Sequence, residues 1–177
     1  MKVLVVVDMQ NDFIDGALGT PEAQAIVPAV KRKIEQYVAN GDKVFYTADT
    51  HHKENYEDTL EGQKLPILHC VHGTHGWQIA DGLYVDNAPL VCKTTFGLWD
   101  IGHRLEALAQ GEYIESVEIV GLCTDICVIS NAMLIKSWFE NIPIIVDSSC
   151  CAGVTPESHV NALRAMEMCQ IEIVKGV

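Results

Sequence analysis

Unbroken apolar runs alternate along this chain with segments in which apolar residues recur at helical spacing. The apolar runs predict six strands, over residues 3–7, 43–48, 90–92, 117–122, 142–146 and 171–174. The helical spacing predicts four helices, over residues 25–39, 98–109, 125–139 and 156–168. Strands that are apolar along their whole length are buried on both faces, which is typical of parallel sheets. The pattern therefore predicts an α/β fold: a doubly wound, mostly parallel six-stranded sheet with helices on both faces.

One long connection interrupts this alternation. Residues 49–89 have no strong strand or helix pattern, and they carry five of the seven histidines. A connection of this length inside a compact domain is usually functional. The chain otherwise has no repeats or flexible linkers, so its 177 residues are predicted to form a single domain, residues 1–177.

Composition and charge narrow the choice of partners. The formal net charge of −12 argues against nucleic acid and anionic membranes, because both bind clustered Lys and Arg. No apolar run reaches membrane-spanning length and the N-terminus lacks a signal-peptide pattern, so we expect a cytoplasmic protein. The seven cysteines include no Cys-x-x-Cys pair, which predicts free thiols and no disulfide framework. A homo-oligomer is compatible with all of these features.

Four chemically capable side chains lie where predicted strands end. Asp8 ends the first strand, Asp49 ends the second and Lys93 follows the third. Cys127 lies in the first turn of the helix that follows the fourth strand. Ligands of parallel sheets bind beyond the carboxyl ends of the strands, near the switch in strand order. We therefore expect these four side chains to lie at one edge of the sheet.

Each of these side chains also has an ordinary structural interpretation. A helix capped by Thr124 or Asp125 would favour a thiolate at Cys127, but a cysteine there is also typical of a buried core residue. Lys93 would lower the pKa of that thiol, or it would be a solvated strand end. Asp8 would accept a proton, or it would form a turn. Their convergence therefore carries more weight than any single residue.

Asp49, His51 and His69 form a candidate metal site. Asp-x-His places two ligands on the same side of an extended segment, and His69 can return to it from the long connection. One carboxylate and two imidazoles suit a divalent transition metal with open coordination positions. Loop histidines are more often solvated, and the same connection offers three rival ligands, His52, His72 and His75.

Five motifs occur in order along the chain. They read VVVDMQNDF, TADTHH, LPILHCVHGTHGW, VCKTTFG and GLCTDICV, and they span residues 5–128. Together they resemble the motifs of the isochorismatase-like cysteine hydrolases, and most closely those of the nicotinamidases (pyrazinamidases). The resemblance implies the fold of that superfamily and a cytoplasmic amide hydrolase that converts nicotinamide to nicotinate and ammonia in NAD salvage. Isochorismatases themselves lack the cysteine of the last motif, so Cys127 argues against their vinyl-ether chemistry.

The resemblance implies catalytic roles for particular residues. Asp8, Lys93 and Cys127 would form a catalytic triad with a thioester intermediate on Cys127. The backbone N–H groups of Cys123 and Cys127 would form the oxyanion hole, and the family's cis peptide would precede Cys123. Phe13 matches the aromatic residue that packs on the substrate ring.

The resemblance also implies a cofactor. One divalent metal ion per chain would be held by Asp49, His51 and His69, with Glu61 as the fourth ligand of some members. Zinc is the first choice of ion, and iron and manganese are the alternatives.

Two departures from the family pattern leave the substrate open. Many nicotinamidases carry Trp-Pro-x-His-Cys, whose tryptophan helps to sandwich the pyridine, whereas this chain reads LPILHC, one residue longer and without tryptophan. Position 123, often alanine, is cysteine here. One alternative is a related cysteine amidohydrolase that acts on an N-carbamoyl or ureido amide and usually lacks the metal set. Another is a non-enzymatic thiol redox protein that uses Cys127 with Cys123 or with the pair Cys150 and Cys151, and it gives Asp8 and Lys93 no role.

Overall fold

Six parallel strands form one sheet in the computed structural model, which describes residues 1–175. The strands are β1 (Lys2–Val7), β2 (Lys43–Asp49), β3 (Leu90–Lys93), β4 (Ser116–Leu122), β5 (Ile144–Ala152) and β6 (Glu172–Val174). Their order across the sheet is β3-β2-β1-β4-β5-β6, and every neighbouring pair is parallel. The predicted doubly wound α/β sheet is confirmed.

Helices cover both faces of this sheet. They are α1 (Asn11–Ile14), α2 (Pro21–Ala39), α3 (Leu60–Lys64), α4 (Ile101–Ala109), α5 (Ile129–Trp138) and α6 (Pro156–Met168). Alternate residues of β1 enter two hydrophobic clusters: Leu4 and Val6 pack with α2, and Val5 packs with α4, α5 and α6. None of the helices within residues 1–175 is both long and apolar enough to cross a membrane.

The observed bounds of several elements differ from the predicted ones. Helix α2 begins before residue 25, because Thr20 caps it by accepting from Ala23 N at 3.1 Å. Helix α4 begins at Ile101 and not at residue 98, and β6 begins at Glu172. Strand β5 continues six residues beyond residue 146, although its sequence turns polar there, because it pairs with β4 as far as Ala152.

The predicted helix over residues 125–139 is two elements. A π-helical turn, Thr124–Val128, comes first, and α5 follows and ends at Trp138. Within the predicted connection of residues 49–89 lie α3 and a 3₁₀ turn, Tyr56–Asp58, both too short to show helical spacing.

The strand order reverses between β1 and β4, which places a crevice at their carboxyl ends. The chain leaves β1 at Asp8 in a left-handed conformation (φ 47°) and leaves β4 through a cis peptide between Leu122 and Cys123. That cis peptide confirms the expectation from the motifs. Gly121 (φ 124°) lies so close to the backbone of Val7 that a Cβ atom would collide with the Val7 carbonyl oxygen, so only glycine fits there.

Candidate active site

Asp8, Lys93 and Cys127 meet at this crevice. Lys93 Nζ lies 2.6 Å from Asp8 Oδ2 and 3.5 Å from Cys127 Sγ. All three residues are at most 4% exposed, so the solvated interpretation of Lys93 is wrong. The three elements that carry them, β1, β3 and the turn after β4, end at one edge of the sheet, as the sequence pattern predicts.

The Asp8 carboxylate has two different oxygens. Oδ1 accepts a hydrogen bond from Thr47 Oγ1 at 2.7 Å. Oδ2 forms the ion pair with Lys93, but within residues 1–175 no donor is aligned with it as a hydrogen bond. Burial raises the pKa of the Asp8 carboxyl above its ordinary value, although the charge of Lys93 opposes this. Oδ2 is therefore the oxygen with capacity left to accept a proton.

The Cys127 thiol is neutral at rest. Burial, and then the Asp8 carboxylate, raise its pKa well above the ordinary value, and the opposing charge of Lys93 is too weak to reverse this. Burial and Asp8 therefore outweigh the effect of Lys93, which the sequence analysis expected to lower this pKa. Burial also lowers the pKa of Lys93, but the charges of Asp8 and Asp49 oppose this and the pKa is raised, so the ammonium ion persists.

Side chains of the turn that carries Cys127 form hydrogen bonds with residues from a later part of the chain. Neither Thr124 nor Asp125 caps the helix as predicted. Instead the Asp125 carboxylate accepts from Val154 N at 3.1 Å, and Thr124 Oγ1 lies 2.7 Å from His159 Nδ1. The first contact ties the turn to the segment between β5 and α6, and the second ties it to the first turns of α6.

Asp49, His51, His69 and Glu61 converge beside the triad. Their ligand atoms all lie within 4.8 Å of one another. Asp49 Oδ2 is 3.1 Å from His51 Nε2 and 3.5 Å from His69 Nε2. Glu61 Oε1 is 3.7 Å from His51 Nε2 and 3.6 Å from His69 Nε2. The other carboxylate oxygen of Asp49 lies 3.5 Å from Lys93 Nζ, which joins this cluster to the triad.

Local hydrogen bonds orient these ligands. His69 Nδ1 lies 2.8 Å from the Ile67 carbonyl, which can only accept, so Nδ1 carries a proton and Nε2 is the nitrogen that faces the cluster. Glu61 lies in the first turn of α3, whose N-cap Thr59 accepts from Gly62 N at 3.0 Å. The longer LPILHC segment therefore does not keep Glu61 away.

The cluster suits a cation. Burial lowers the pKa of His69, but hydrogen bonds with Asp49 and Glu61 outweigh burial and raise the pKa to about 10. Burial also raises the pKa of Asp49, but hydrogen bonds with His51 and His69 outweigh it and hold the pKa well below its usual range. Ligand atoms of a tetrahedral zinc ion stand about 3.4 Å apart. Four of the six separations, from 3.1 to 3.7 Å, are close to that spacing, and the other two are at most 4.8 Å.

The rival histidines lie elsewhere. The rings of His52 and His72 are 5.9 Å apart, and the His72 ring also packs on Trp77 at 4.8 Å. His75 uses its carbonyl oxygen to accept from Asn11 Nδ2 at 2.8 Å. The structure thus selects two histidines from the five in the connection.

The thiol and three cluster residues, Asp49, Glu61 and His69, line one cavity of about 170 Å³. A cavity of about 150 Å³ with apolar walls holds a benzene ring, so this volume suits one six-membered ring. Phe13 lines the cavity, and its ring centroid is 5.5 Å from that of His69. The other apolar or sulfur-bearing lining residues include Leu18, Ala23, Leu65, Phe96, Leu122, Cys123, Ile126 and Val154.

Several of these lining residues were missed by the sequence analysis. Leu65 stands at the start of the LPILHC segment, where many nicotinamidases carry tryptophan, and its side chain still reaches the cavity. Phe96 occurs in the VCKTTFG motif, which was a signal that could have identified it. Val154 had no such signal, because its position depends on the extension of β5.

Comparison with known proteins adds independent observations. A family model described as the Isochorismatase domain matches residues 2–175. Nicotinamidase from Schizosaccharomyces pombe is 26% identical over an alignment that covers 97% of this chain and 91% of that protein.

Two solved structures share the fold along nearly the whole chain. Pyrazinamidase of Pyrococcus horikoshii in complex with zinc superposes with a TM-score of 0.85 and 27% identity, covering 99% of each chain. N-carbamoylsarcosine amidase from Thermoplasma acidophilum gives a TM-score of 0.79 and 28% identity, covering 99% of this chain and 96% of that one. Overall likeness is nearly equal for the two activities, so the choice between them depends on the cavity.

Proposed function

This chain belongs to the isochorismatase domain family, and we propose that it is a metal-dependent amidohydrolase that converts nicotinamide to nicotinate and ammonia. The observation that carries the proposal is the shared cavity. A buried thiol paired with Asp8 and Lys93, three residues of the metal-ligand cluster and an aromatic side chain all face one space of single-ring size.

The first chemical step is attack of the Cys127 sulfur on the amide carbonyl. Asp8 Oδ2 takes the thiol proton as the C–S bond forms, which matches a thiol that is neutral at rest. The backbone N–H groups of Cys123 and Cys127 donate to the oxyanion, and one such donor is worth about 3 kcal/mol of barrier. Asp8 then gives its proton to the departing nitrogen, so the C–N bond breaks and ammonia leaves.

The second step is hydrolysis of the Cys127 thioester. Asp8, ionised again, accepts a proton from the attacking water and passes it to the departing sulfur as the C–S bond breaks, so the Cys127 thiol and the Asp8 carboxylate are regenerated and the carboxylic acid product is released. Lys93 keeps its positive charge throughout and holds Asp8 in place, since its ammonium group lies 2.6 Å from Oδ2. A divalent ion held by Asp49, His51, His69 and Glu61 would supply a Lewis acid that orients the ring nitrogen of the substrate.

The lining of the cavity favours nicotinamide over N-carbamoyl amino acids. None of the described residues that line it is Arg or Lys, and its ionisable carboxyl groups are Asp49 and Glu61. The carboxylate of an N-carbamoyl amino acid would be buried there beside acidic groups with no Arg or Lys partner, so apart from the metal centre nothing would balance its charge, which is costly. An uncharged aromatic amide has no such cost.

Ammonia release from nicotinamide, pyrazinamide and N-carbamoylsarcosine tests this choice. With one equivalent of zinc per chain, we expect kcat/KM for the two ring amides to exceed that for N-carbamoylsarcosine by at least about 100-fold, a difference of about 2.7 kcal/mol. Faster hydrolysis of N-carbamoylsarcosine, with or without metal, would contradict the proposal. It would favour the related carbamoyl amidohydrolase.

A further inference from the structure

Gln10 is a completely buried polar side chain beside the metal-ligand cluster, and the chemical steps above give it no role. Its Nε2 group donates to the Asp49 carbonyl at 2.8 Å and to the Trp77 carbonyl at 2.8 Å. Its Oε1 atom accepts from Asp49 N at 2.8 Å. One side-chain amide thus satisfies both backbone groups of a proposed metal ligand.

The geometry of the sheet explains why Asp49 needs this partner. The β1–β2 ladder ends at the pair Val7 and Thr47, because the chain turns away from the sheet at Asp8. Asp49 therefore lies beyond the last backbone pair on the β1 side, while on its other side it pairs with β3. The Gln10 amide takes the place of a backbone peptide and extends the ladder to the residue that carries the ligand.

Asp12 makes a corresponding contact at the second ligand-bearing segment. Its Oδ2 atom accepts from Cys70 N at 2.7 Å, directly after His69. Cys70 has a left-handed backbone (φ 45°), which is unfavourable for a residue with a Cβ atom. The Asp12 carboxylate thus holds a costly turn in place at the point where His69 enters the cluster.

We propose that Gln10 and Asp12 are positioning residues for the metal centre. Neither is one of the four cluster ligands; each fixes the backbone of a ligand or of its neighbour, so that the donor atoms are set at coordination distance before the ion arrives. The inference rests on the proposed function, since it presupposes that the cluster binds a metal. Partners that orient metal ligands from outside typically contribute about 10- to 100-fold to metal affinity.

Zinc affinity of the metal-free protein tests this directly, measured by competition with a chromophoric chelator. We expect Gln10→Met, which keeps the side-chain length but makes no hydrogen bond, to raise the Kd about 10- to 100-fold. Asp12→Asn should also raise the Kd. An amide has one accepting atom where the carboxylate has two, so the hydrogen bond from Cys70 N is weakened or lost. The matched control is Asn11→Ser, since Asn11 Nδ2 donates to the His75 carbonyl of the same connection without touching a ligand segment. Its Kd should be unchanged.

Circular dichroism of the metal-free variants separates positioning from loss of fold. If Gln10→Met does not fold, Gln10→Asn replaces it: this variant keeps the amide but is one methylene shorter, so it cannot reach both backbone groups of Asp49 as Gln10 does, and its Kd should still rise. A folded Gln10 variant with the parental Kd, or an equal loss of affinity in Asn11→Ser, would contradict the positioning role but would leave the proposed metal centre standing. If the parent protein binds no zinc, both the positioning role and the proposed metal centre are contradicted.

Discussion

Lys93 is the residue at which the two halves of the site meet. Its ammonium group is 2.6 Å from Asp8, 3.5 Å from Cys127 and 3.5 Å from Asp49. Because Asp49 also faces the metal-ligand cluster, one buried cation lies between the acid–thiol pair and the metal ligands. Asp8 and Lys93 act on the thiol with opposite signs, since the carboxylate raises the pKa of Cys127 and the ammonium lowers it.

These opposite signs give a paired prediction. Asp8→Asn removes the negative charge, so the pKa of Cys127 should fall and alkylation by iodoacetamide should become faster below that pKa. Turnover should nevertheless fall by about 10²–10⁴, because the proton acceptor is lost. Lys93→Met removes the positive charge, so the pKa should rise and alkylation at the same pH should slow. Rates are measured against pH by mass spectrometry of the Cys127 peptide, because Cys92 and Cys169 are exposed and will also react.

Folding controls are needed for both variants. Breaking a buried ion pair typically destabilises a protein by about 3–5 kcal/mol, so thermal unfolding must show that each variant is folded at the assay temperature. Opposite results, with slower alkylation in Asp8→Asn or an unchanged pH profile in Lys93→Met, would rule out the electrostatic arrangement described here.

At the scale of elements, the short helix α3 presents Glu61 to the cluster. Its N-cap, Thr59, accepts from Gly62 N at 3.0 Å and donates to the Tyr56 carbonyl at 2.7 Å, so one hydroxyl ties α3 to the preceding 3₁₀ turn. A helix of five residues is marginal by itself and depends on such contacts.

We therefore expect Thr59→Ala to weaken zinc binding. Loss of a helix N-cap costs about 1 kcal/mol, which corresponds to at most about a five-fold rise in Kd if α3 is ordered only when Glu61 binds the ion. Thr59→Ser keeps the hydroxyl and should bind zinc as the parent does. If Thr59→Ala and Thr59→Ser have the same Kd in the chelator competition assay, α3 does not contribute to the site through Glu61.

At the scale of the whole molecule, much of the fold and part of the site could be predicted from the sequence. Buried parallel strands produce apolar runs, and the residue that ends each run must emerge at the carboxyl edge. Asp8, Asp49, Lys93 and Cys127 became candidates in this way. The spacing of ligand types in the long connection added His51 and His69, and the ordered motifs added Phe13 and Glu61. The local sequence pattern is sufficient to predict a site residue when the position of that residue depends only on the end of its own strand.

The features that sequence could not predict depend on contacts between distant segments. Gln10 becomes a partner of Asp49 only because β1 and β2 are neighbours. Val154 lines the cavity only because β5 continues beyond its apolar residues as far as Ala152. The neutral state of Cys127 follows from burial, which neither its helical position nor the nearby Lys93 reveals.

Ammonia release from nicotinamide is the measurement that tests the central claim most directly. The zinc-loaded parent is compared with Cys127→Ala and with a matched control, Cys92→Ala, which removes an exposed thiol next to Lys93 in the sequence. We predict that the parent and Cys92→Ala release ammonia at similar rates, and that Cys127→Ala, with an unchanged circular dichroism spectrum, releases none. Continued release by Cys127→Ala, or no release by the parent, would contradict a cysteine-dependent nicotinamidase.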